Sequence, residues 1–325
     1  MRATVIRELG GPEVLVTEEV PLPTVGDGEV LVEIAAAGLN FIDTYHRTGL
    51  YPVDLPFTPG SEAAGRVVEV GSEVTEFSLG DRVAYAGSRG AYAEFAAVDA
   101  ATLVALPAEV ALDVGAACLL QGLTAHYLTR DTFPLKPGDT CLIHAGAGGV
   151  GLLLTQIAKR LGATVYTTVG THEKAELSHQ AGADHTIVYT EDDFADQVRL
   201  IGGDRPLDVV YDGVGKSTMS RGFGLLRPRG VMAVFGNASG PAEAVDPLTL
   251  STNGSLYLTR PSLFHHIATR DALTARAREL FGWIADGLVV RIGARFGLES
   301  AADAHRALEG RATTGKVIIE VCDSV

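Results

Sequence analysis

The glycine-rich segment HAGAGGVG at residues 144–151 constrains the fold more than any other stretch of this sequence. It contains Gly146-x-Gly148-x-x-Gly151, follows the short apolar stretch TCLIH and runs into GLLLTQIAKRLG, which has helical character. A strand, a glycine turn and a helix in this order are typical of a dinucleotide-binding βαβ unit. There the three glycines permit a tight turn, a close approach of the backbone to a pyrophosphate, and close packing of the helix on the strand. A Walker loop is excluded because no Lys-Ser or Lys-Thr pair follows the glycines.

The sequence after the glycine loop alternates between short apolar strands and helices. The successive segments are ATVYTTVG, THEKAELSHQAG, HTIVY, DDFADQVRLIG, LDVVYDG, a helix over 217–227, GVMAVFG, and SLYLT at 255–259. Strands that are apolar throughout and alternate with helices predict a parallel sheet covered on both faces. The middle of the chain is therefore predicted to be a doubly wound α/β domain with six parallel strands.

The two ends of the chain predict a second, discontinuous domain. The first 110 or so residues contain short valine-rich stretches broken by glycine, proline and aspartate, which indicate irregular antiparallel β-structure. The helical segment LDVGAACLLQGLTAHYLT then joins this region to the middle. The tail, from about residue 262, would bury only a marginal core alone, so we expect it to fold onto the β domain. The predicted domains are residues 1–122 with 262–325, and residues 123–261.

Charge and cysteine content narrow the classes of partner. The formal net charge of −14 disfavours nucleic acid and anionic membrane surfaces, which require clustered lysine and arginine. The N-terminal MRATVIRELG lacks the apolar core of a signal peptide, and no apolar run reaches the length of a membrane span. Cys118, Cys141 and Cys322 are scattered, which is typical of reduced thiols rather than of a disulfide framework or a zinc knuckle. We expect a cytoplasmic protein.

The end of the second strand after the glycine loop distinguishes between the two nicotinamide cofactors. An NAD site normally carries Asp or Glu there, about 20 residues after the glycines, to bind the ribose 2′-hydroxyl. Here the strand ends with Gly170 and Thr171, and Lys174 follows one turn into the helix, while Glu173 is interpreted as a first-turn helix carboxylate. A neutral tip with a nearby lysine suits a 2′-phosphate, and Tyr189 adds a hydroxyl donor. The sequence therefore predicts NADPH over NADH, although Lys174 and Tyr189 also fit as ordinary surface residues.

Several segments together carry a family resemblance that runs nearly from end to end. They are GLNFIDTYHRTGLYP (38–52), PGSEAAGRV (59–67), GDRVAY (80–85), HAGAGGVG, VYDGVG (210–215), FGNASG (235–240), SLYLTRPSL (255–263) and RATTGKVI (311–318). The chain resembles the medium-chain dehydrogenase/reductase superfamily and, within it, the zinc-free NADPH:quinone oxidoreductases related to zeta-crystallin. The resemblance implies a Rossmann domain with a doubly wound six-stranded parallel sheet and a discontinuous GroES-like irregular β-barrel domain.

The catalytic zinc site of the superfamily's alcohol dehydrogenases is altered in this sequence. Asn40 stands where a cysteine ligand would fall, and Ser61 stands before Glu62 where a histidine ligand would fall. Asn and Ser are poor substitutes for thiolate and imidazole, so no metal is predicted. Without a Lewis acid a simple alcohol is hard to oxidise, whereas a quinone or another conjugated carbonyl needs only to be positioned beside the nicotinamide to accept a hydride. The resemblance assigns Asn40 and Tyr45 to the substrate cleft as hydrogen-bond donors, or alternatively as structural loop residues.

The resemblance also implies contacts with the cofactor. The implied contacts with NADPH are Thr124, the backbone of Gly148, Gly149 and Val150, the loop Phe235-Gly236-Asn237, and Arg311. Arg311 fits equally well as a solvated turn residue, and Asp43 fits as a cap of the turn after Asn40. No role is assigned to Gln121.

Four further residues are interpreted as structural. His144 and Trp283 are expected to be packing residues, and His265 and His266 to be loop residues.

In the resembled family SLYLT is an edge strand through which two subunits join. The segment here is apolar and uncharged, so a homodimer through residues 255–259 is expected. The predicted function is NADPH-dependent quinone reduction in the cleft between the two domains, by hydride or electron transfer. Two alternatives stay open: reduction of the double bond of an enone or alkenal, and an NADPH-binding sensor or structural protein with little turnover.

Overall fold

The computed structural model describes residues 1–321 of the chain, so Cys322 lies outside the described residues. Two compact units divide it: Met1–Leu123 together with the chain from Ile267 onward, and Thr124–His266. We call them the outer unit and the central unit. Within residues 1–321, no helix is both long and apolar enough to cross a membrane.

The elements alternate between strands and helices most regularly in the central unit. The strands are β1 Arg2–Val5, β2 Val16–Glu19, β3 Glu29–Leu39, β4 Glu62–Val70, β5 Arg82–Ala86, β6 Phe95–Asp99, β7 Leu103–Ala105, β8 Thr140–His144, β9 Thr164–Val169, β10 His185–Val188, β11 Leu207–Asp212, β12 Leu226–Val234, β13 Tyr257–Thr259, β14 Ile292–Gly297 and β15 Lys316–Glu320. The helices are α1 Phe41–Thr48, α2 Leu112–Tyr127, α3 Gly149–Arg160, α4 His172–Gln180, α5 Phe194–Gly202, α6 Met219–Gly222, α7 Pro247–Thr252, α8 Leu263–His266, α9 Arg270–Ala285 and α10 Ala301–Glu309.

The central unit is built on one six-stranded sheet in the order β10-β9-β8-β11-β12-β13, and every pairing in it is parallel. The order reverses between β8 and β11, which is the arrangement of doubly wound dinucleotide-binding sheets. The strands are buried because their side chains are apolar on both faces, as in the consecutive pairs Cys141 and Leu142 of β8 and Val209 and Val210 of β11. The predicted six-stranded parallel sheet is confirmed.

The outer unit contains a seven-stranded sheet and a two-stranded sheet. The larger one has the order β14-β15-β3-β4-β5-β7, with β6 paired to β3, and β1 pairs with β2 in the smaller one. The long strand β3 is central because its neighbours β4, β6 and β15 all pair with it antiparallel. Through β15 the end of the chain thus lies directly against β3, and Val317 is opposite Leu39.

Two local predictions were wrong. The helix predicted over 217–227 is reduced to α6 and a 3₁₀ turn over Phe223–Leu225, and Leu226 already begins β12. Gly222 and Gly224 weaken helix formation there. Leu226 pairs with Leu207, so the end of the segment belongs to the sheet. His265 and His266 were predicted to be loop residues but lie in the short helix α8, where His266 stacks on Tyr127 with ring centroids 4.2 Å apart.

Candidate active site

The glycine loop joins β8 to α3 and leaves room above its second glycine. A Cβ on Gly148 would meet only the backbone oxygen of Ala145, at 3.2 Å. A Cβ on Gly146 would come within 2.6 Å of Thr167 Cβ, and one on Gly151 would collide with the Ala145 carbonyl oxygen. The outer two glycines are therefore required for packing inside the unit, whereas Gly148 keeps the loop surface low on the side open to a ligand.

The tight turn of the glycine loop is not formed at Gly146, as the motif predicted. The left-handed backbone conformation belongs to Ala145, at φ 56°, and not to Gly146. Gly146 donates its N–H to the Thr168 carbonyl oxygen, at 3.0 Å, which holds the loop against β9. Gly146 is thus required for lateral space between β8 and β9 rather than for the turn.

Helix α3 begins directly above this loop and offers backbone donors. Gly148 is its N-cap residue in an extended conformation, and Gly149 and Val150 form its first turn without any acidic side chain. The first N–H groups of a helix have no intrahelical acceptor, and the helix dipole adds a partial positive charge there. A pyrophosphate fits this arrangement in charge and in hydrogen bonding. These residues therefore fit the phosphates of a dinucleotide.

The tip of β9 is small, neutral and close to Tyr189. Thr171 caps α4 by accepting a hydrogen bond from Lys174 N through Oγ1, which fixes Lys174 in the first helical turn. A Cβ on Gly170 would lie 2.9 Å from the Tyr189 hydroxyl oxygen, and Tyr189 is 41% exposed. Gly170, Thr171, Lys174 and Tyr189 are thus neighbours at the carboxyl ends of β9 and β10. No carboxylate occupies the end of β9.

A second pair of loops follows β11 and β12. A Cβ on Gly236 would collide with the Gly213 carbonyl oxygen, so these two loops touch through their backbones. The Asn237 amide accepts from Arg260 Nη2 at 3.2 Å and donates to the Gly236 carbonyl oxygen at 3.0 Å. Phe235 donates its N–H to the Asp212 carbonyl oxygen, at 2.8 Å. Phe235 and Asn237 follow the carboxyl end of β12, and the glycine loop follows the carboxyl end of β8. Because all strands of this sheet are parallel, both loops lie at the same edge of the sheet.

In the outer unit, Asn40 is buried and its side chain is fully engaged. Its Nδ2 donates to the Gly38 carbonyl oxygen at 3.0 Å and to Glu62 Oε2 at 2.9 Å, while its Oδ1 accepts from Lys316 Nζ at 2.7 Å. Its backbone N–H donates to Asp43 Oδ2, at 2.9 Å, in a capping box that starts α1. Asn40 therefore fixes the beginning of the helix that carries Tyr45. The predicted contact with a developing oxyanion stays a prediction.

Asp43 is completely buried and accepts three hydrogen bonds. Besides the Asn40 N–H, it accepts from Ser61 Oγ at 2.8 Å and from the Tyr92 hydroxyl at 3.3 Å. Burial raises the pKa of Asp43 to about 6, although the hydrogen bonds from Asn40 and Ser61 and the charge of Lys316 act in the opposite direction. Asp43 is a capping residue, as the structural alternative predicted, and it also belongs to a larger network.

The network continues through the buried side chains of Tyr92 and His305 and returns to α1 at Arg47. The Tyr92 hydroxyl lies 3.2 Å from His305 Nε2, and His305 Nδ1 lies 3.0 Å from Arg47 Nη1. Arg47 in turn donates from both terminal nitrogens to Glu309, at 2.9 and 2.8 Å. Burial and the Arg47 charge lower the pKa of His305 to about 3, so this imidazole is neutral at physiological pH.

Tyr45 lies in a cluster of aromatic rings on α1 and the turn that follows it. Its ring contacts Tyr51 edge-on at 5.2 Å between centroids and lies 6.4 Å from Phe41, and His46 lies 6.1 Å from Tyr51. Burial, with a smaller effect from the Arg89 charge, lowers the pKa of His46. Tyr45 is 8% exposed. The cluster presents apolar ring surfaces beside the start of α1.

The remaining predicted residues are distributed over both units. Thr124 is buried on α2 at the first position of the central unit. Arg311 is exposed in the turn after α10 with a left-handed backbone at φ 56°. His144 is buried, with Nδ1 2.8 Å from Thr168 Oγ1 and its ring edge-on to Phe194, as befits a packing residue. Gln121 Oε1 is buried without a hydrogen-bond donor among residues 1–321.

Sequence reasoning missed the buried polar network of the outer unit. No sequence motif contains the four residues of this network that were not predicted, because each stands alone among residues of other types. They are Lys316, Tyr92, Arg47 and His305. Lys316 and Asn40 are 276 positions apart in the chain. The one available signal was the lysine at the start of an apolar strand, KVIIEV, where a buried position normally carries no charge.

Comparisons with known proteins agree with this architecture. Residues 26–108 match the family model described as the alcohol dehydrogenase GroES-like domain, and residues 149–285 match the model described as zinc-binding dehydrogenase. A quinone oxidoreductase of Pseudomonas aeruginosa is 47% identical over 313 residues, which are 95% of this chain and 96% of the relative. A 2-haloacrylate reductase of a Burkholderia species is 41% identical over 326 residues, 98% of each chain.

A solved structure is similar over nearly the whole length. The crystal structure of Escherichia coli quinone oxidoreductase complexed with NADPH has a TM-score of 0.96 and 43% identity, and covers 99% of this chain and 100% of that one. A doubly wound unit with a glycine loop, combined with a GroES-like unit, defines a medium-chain dehydrogenase/reductase. Within that superfamily, the chain belongs to the quinone oxidoreductase family.

The residues of this chain do not fit the zinc that one model description implies. Asn40 Oδ1 accepts from the Lys316 ammonium, and Ser61 Oγ donates to Asp43. Within residues 1–321, no group of three or more His, Cys, Asp or Glu side chains is placed to hold a metal ion. Asn and Ser side chains engaged in this way offer no zinc site.

The raised pKa of Asp43 predicts a specific pH dependence of stability. Because the folded state binds this proton more tightly than the unfolded state, the contribution of Asp43 to the free energy of unfolding decreases as pH rises from about 4 through 6. Relative to Asp43→Asn, the wild-type protein should lose about 3 kcal/mol between pH 4 and pH 7, as measured by denaturant unfolding. The exposed Asp303→Asn variant on α10 provides the baseline. The prediction would be contradicted if the difference in free energy of unfolding between wild type and Asp43→Asn did not change over this pH range.

Proposed function

We propose that this chain is an NADPH-dependent quinone reductase. Its relatives at 41–47% identity over nearly its full length include proteins named quinone oxidoreductase, and a similar solved structure is a quinone oxidoreductase complexed with NADPH. The observation that carries the proposal is the combination of the low loop surface at Gly148 with the acid-free tip of β9. The first suits a pyrophosphate and the second suits a 2′-phosphate, so the same unit accommodates both charged parts of NADPH.

The residues of the central unit divide the binding of NADPH between them. Backbone N–H groups of Gly149 and Val150 at the start of α3 would bind the pyrophosphate. The Lys174 ammonium and the Tyr189 hydroxyl would bind the 2′-phosphate, which a carboxylate at the end of β9 would repel. Thr124, Phe235, Asn237 and Arg311 are proposed as further contacts. When bound, NADPH supplies the hydride.

The outer unit would provide the substrate contacts. Tyr45 is proposed as the hydrogen-bond donor to a carbonyl oxygen of the acceptor, where negative charge develops during reduction. Both N–H bonds of the Asn40 amide are already donated within the protein. A contact between Asn40 and the acceptor therefore requires one of these hydrogen bonds to open. The aromatic rings of Phe41, Tyr45 and Tyr51 suit a planar conjugated acceptor.

A second candidate reaction is the reduction of a conjugated carbon–carbon double bond. It is favoured by the 2-haloacrylate reductase, which is 41% identical over 98% of both chains. Both reactions would use the same cofactor and the same metal-free site, and would differ in the acceptor. An NADPH-binding protein with little turnover is a third reading, and its signature is saturable binding without catalysis.

The acceptor is tested by following NADPH oxidation at 340 nm. We expect turnover with a simple benzoquinone or naphthoquinone, little turnover with an enone, and none without an acceptor. Turnover with the enone and not with the quinone would identify the reaction as double-bond reduction. Saturable NADPH binding with no turnover on either acceptor would identify the binding protein instead of the enzyme.

The cofactor preference is tested at Lys174. Replacing Lys174 with alanine removes a charge-assisted hydrogen bond to the 2′-phosphate, so KM for NADPH should rise about 10-fold or more while KM for NADH stays unchanged. Lys136→Ala, at the amino end of β8 and hence at the opposite edge of the sheet, is the matched control. An unchanged KM for NADPH in Lys174→Ala would overturn the assignment.

We also propose a homodimer joined through β13. This strand ends the six-stranded sheet, and Tyr257 on it is 58% exposed. An apolar edge strand offers its backbone groups for pairing with a second copy. Light scattering at micromolar concentration should give twice the mass of one chain, and Tyr257→Lys should lower that mass. Leu200→Lys, at an exposed apolar position on α5, should leave it unchanged, and a wild-type mass of one chain would contradict the dimer.

The same proposal includes a cytoplasmic location. Cys118 and Cys141 are both buried outside any disulfide, and burial raises the pKa of both thiols. Protonated, unpaired thiols suit a reducing compartment. Recovery of the chain from a non-cytoplasmic fraction after cell fractionation would contradict this location.

A further inference from the structure

Lys316 places a positive charge in the interior of the outer unit. It is the first residue of β15, and the antiparallel register of β15 with β3 brings it beside Asn40. Its side chain is 1% exposed. A lysine removed from water keeps its charge only where acceptors replace the lost hydration. The surroundings of Lys316 Nζ therefore decide whether this is a cation site.

Two oxygen acceptors lie within hydrogen-bond distance of the ammonium. Lys316 Nζ is 2.5 Å from Glu62 Oε2 and 2.7 Å from Asn40 Oδ1. Glu62 is fully buried, and its other carboxylate oxygen accepts from the Leu120 backbone N–H, at 2.8 Å. Within residues 1–321, Lys316 is the one cationic partner of this carboxylate, and its other donors are neutral. Removing the lysine would leave a buried carboxylate without a compensating charge.

The backbone around the pair is shaped to make room for it. A Cβ on Gly38 would lie 2.7 Å from Lys316 Cε and 2.5 Å from Glu62 Oε2, and would collide with the Ala116 carbonyl oxygen. Only glycine at position 38 leaves the space that the lysine stem fills. The lysine side chain is therefore closely surrounded by residues of β3, β4, β15 and α2.

The two oxygens that contact the ammonium, one from an amide and one from a carboxylate, are of the kinds that divalent ions also accept as ligands. The family model described as zinc-binding dehydrogenase matches residues 149–285, whereas Asn40 Oδ1 and Glu62 Oε2 lie in the outer unit and both accept from the Lys316 ammonium. We propose that the Lys316 ammonium is the resident cation of this site and takes the place of a metal ion there. This inference is independent of the proposed reaction, because it concerns the charge that the site requires.

The test removes the built-in cation and offers one from solution to the full-length protein. Lys316→Ala should lower Tm by about 10 °C, because it leaves the Glu62 carboxylate buried and uncompensated. Propylammonium, which resembles the deleted side chain, should then raise Tm of this variant by about 3 °C or more. Tetramethylammonium, which has no N–H donor, serves as the salt control. Wild-type protein should respond to neither salt.

A second variant separates the charge from the loss of packing. Glu62→Gln/Lys316→Ala removes both charges, so it should be more stable than Lys316→Ala and should not respond to propylammonium. Lys159→Ala, which breaks a half-exposed ion pair with Asp184, is the matched control and should also show no response. If Lys316→Ala does not fold, folding of the double variant supports the proposal, and failure of both overturns it.

Equilibrium dialysis against Co²⁺ tests the relation to a metal. Wild-type protein should bind no Co²⁺ at this site, whereas Lys316→Ala should bind up to one ion per chain in competition with propylammonium. A response to propylammonium alone also supports the resident cation, since the site then selects an ammonium. The proposal is overturned if wild-type protein binds Co²⁺ as well as Lys316→Ala does, because the ammonium would then not occupy the place of the ion. It is also overturned if Lys316→Ala responds to no cation, or if the double variant responds as strongly.

Discussion

A buried pair of opposite charges, Lys316 and Glu62, holds together segments of the outer unit that are far apart in sequence. The ammonium comes from the last strand and the carboxylate from β4, and the carboxylate also accepts a backbone hydrogen bond from α2. Because neither charge is exposed to water, each depends on the other and on the neutral groups around them. Asn40 joins the pair through both ends of its amide, so the start of α1 depends on the same interaction.

The pair also explains how a chain of this superfamily can keep a compact site without zinc ligands. Asn40 and Ser61 do not leave a void at these positions, because each forms hydrogen bonds within the buried network that contains the Lys316–Glu62 ion pair. Asp43, with its raised pKa, and the neutral His305 belong to the same interior. The many mutual hydrogen bonds make this part of the outer unit rigid.

The central unit depends on a different constraint, which is the absence of side chains where β8, β9 and α3 meet. Gly146 and Gly151 are required because a Cβ on either would collide with neighbouring atoms of the unit. This close packing brings the first N–H groups of α3 directly above the loop. A Cβ on Gly148, by contrast, would contact only the Ala145 carbonyl oxygen, at 3.2 Å. Packing within the unit therefore requires the first and third glycines of the motif more strictly than the second.

The sequence alone determined the α/β unit, its six parallel strands and its glycine loop, because hydrophobic periodicity and glycine spacing are local signals. It also indicated the acid-free tip of β9, since this property follows from four adjacent residues. It misjudged the 217–227 helix, where strand pairing overrides local propensity, and it assigned the tight turn of the loop to a glycine, although Ala145 adopts the left-handed conformation. Only the tertiary structure decided the role of Lys316. Its partner Asn40 is 276 residues away, and the energy of a buried charge is set by neighbours that no local pattern reveals.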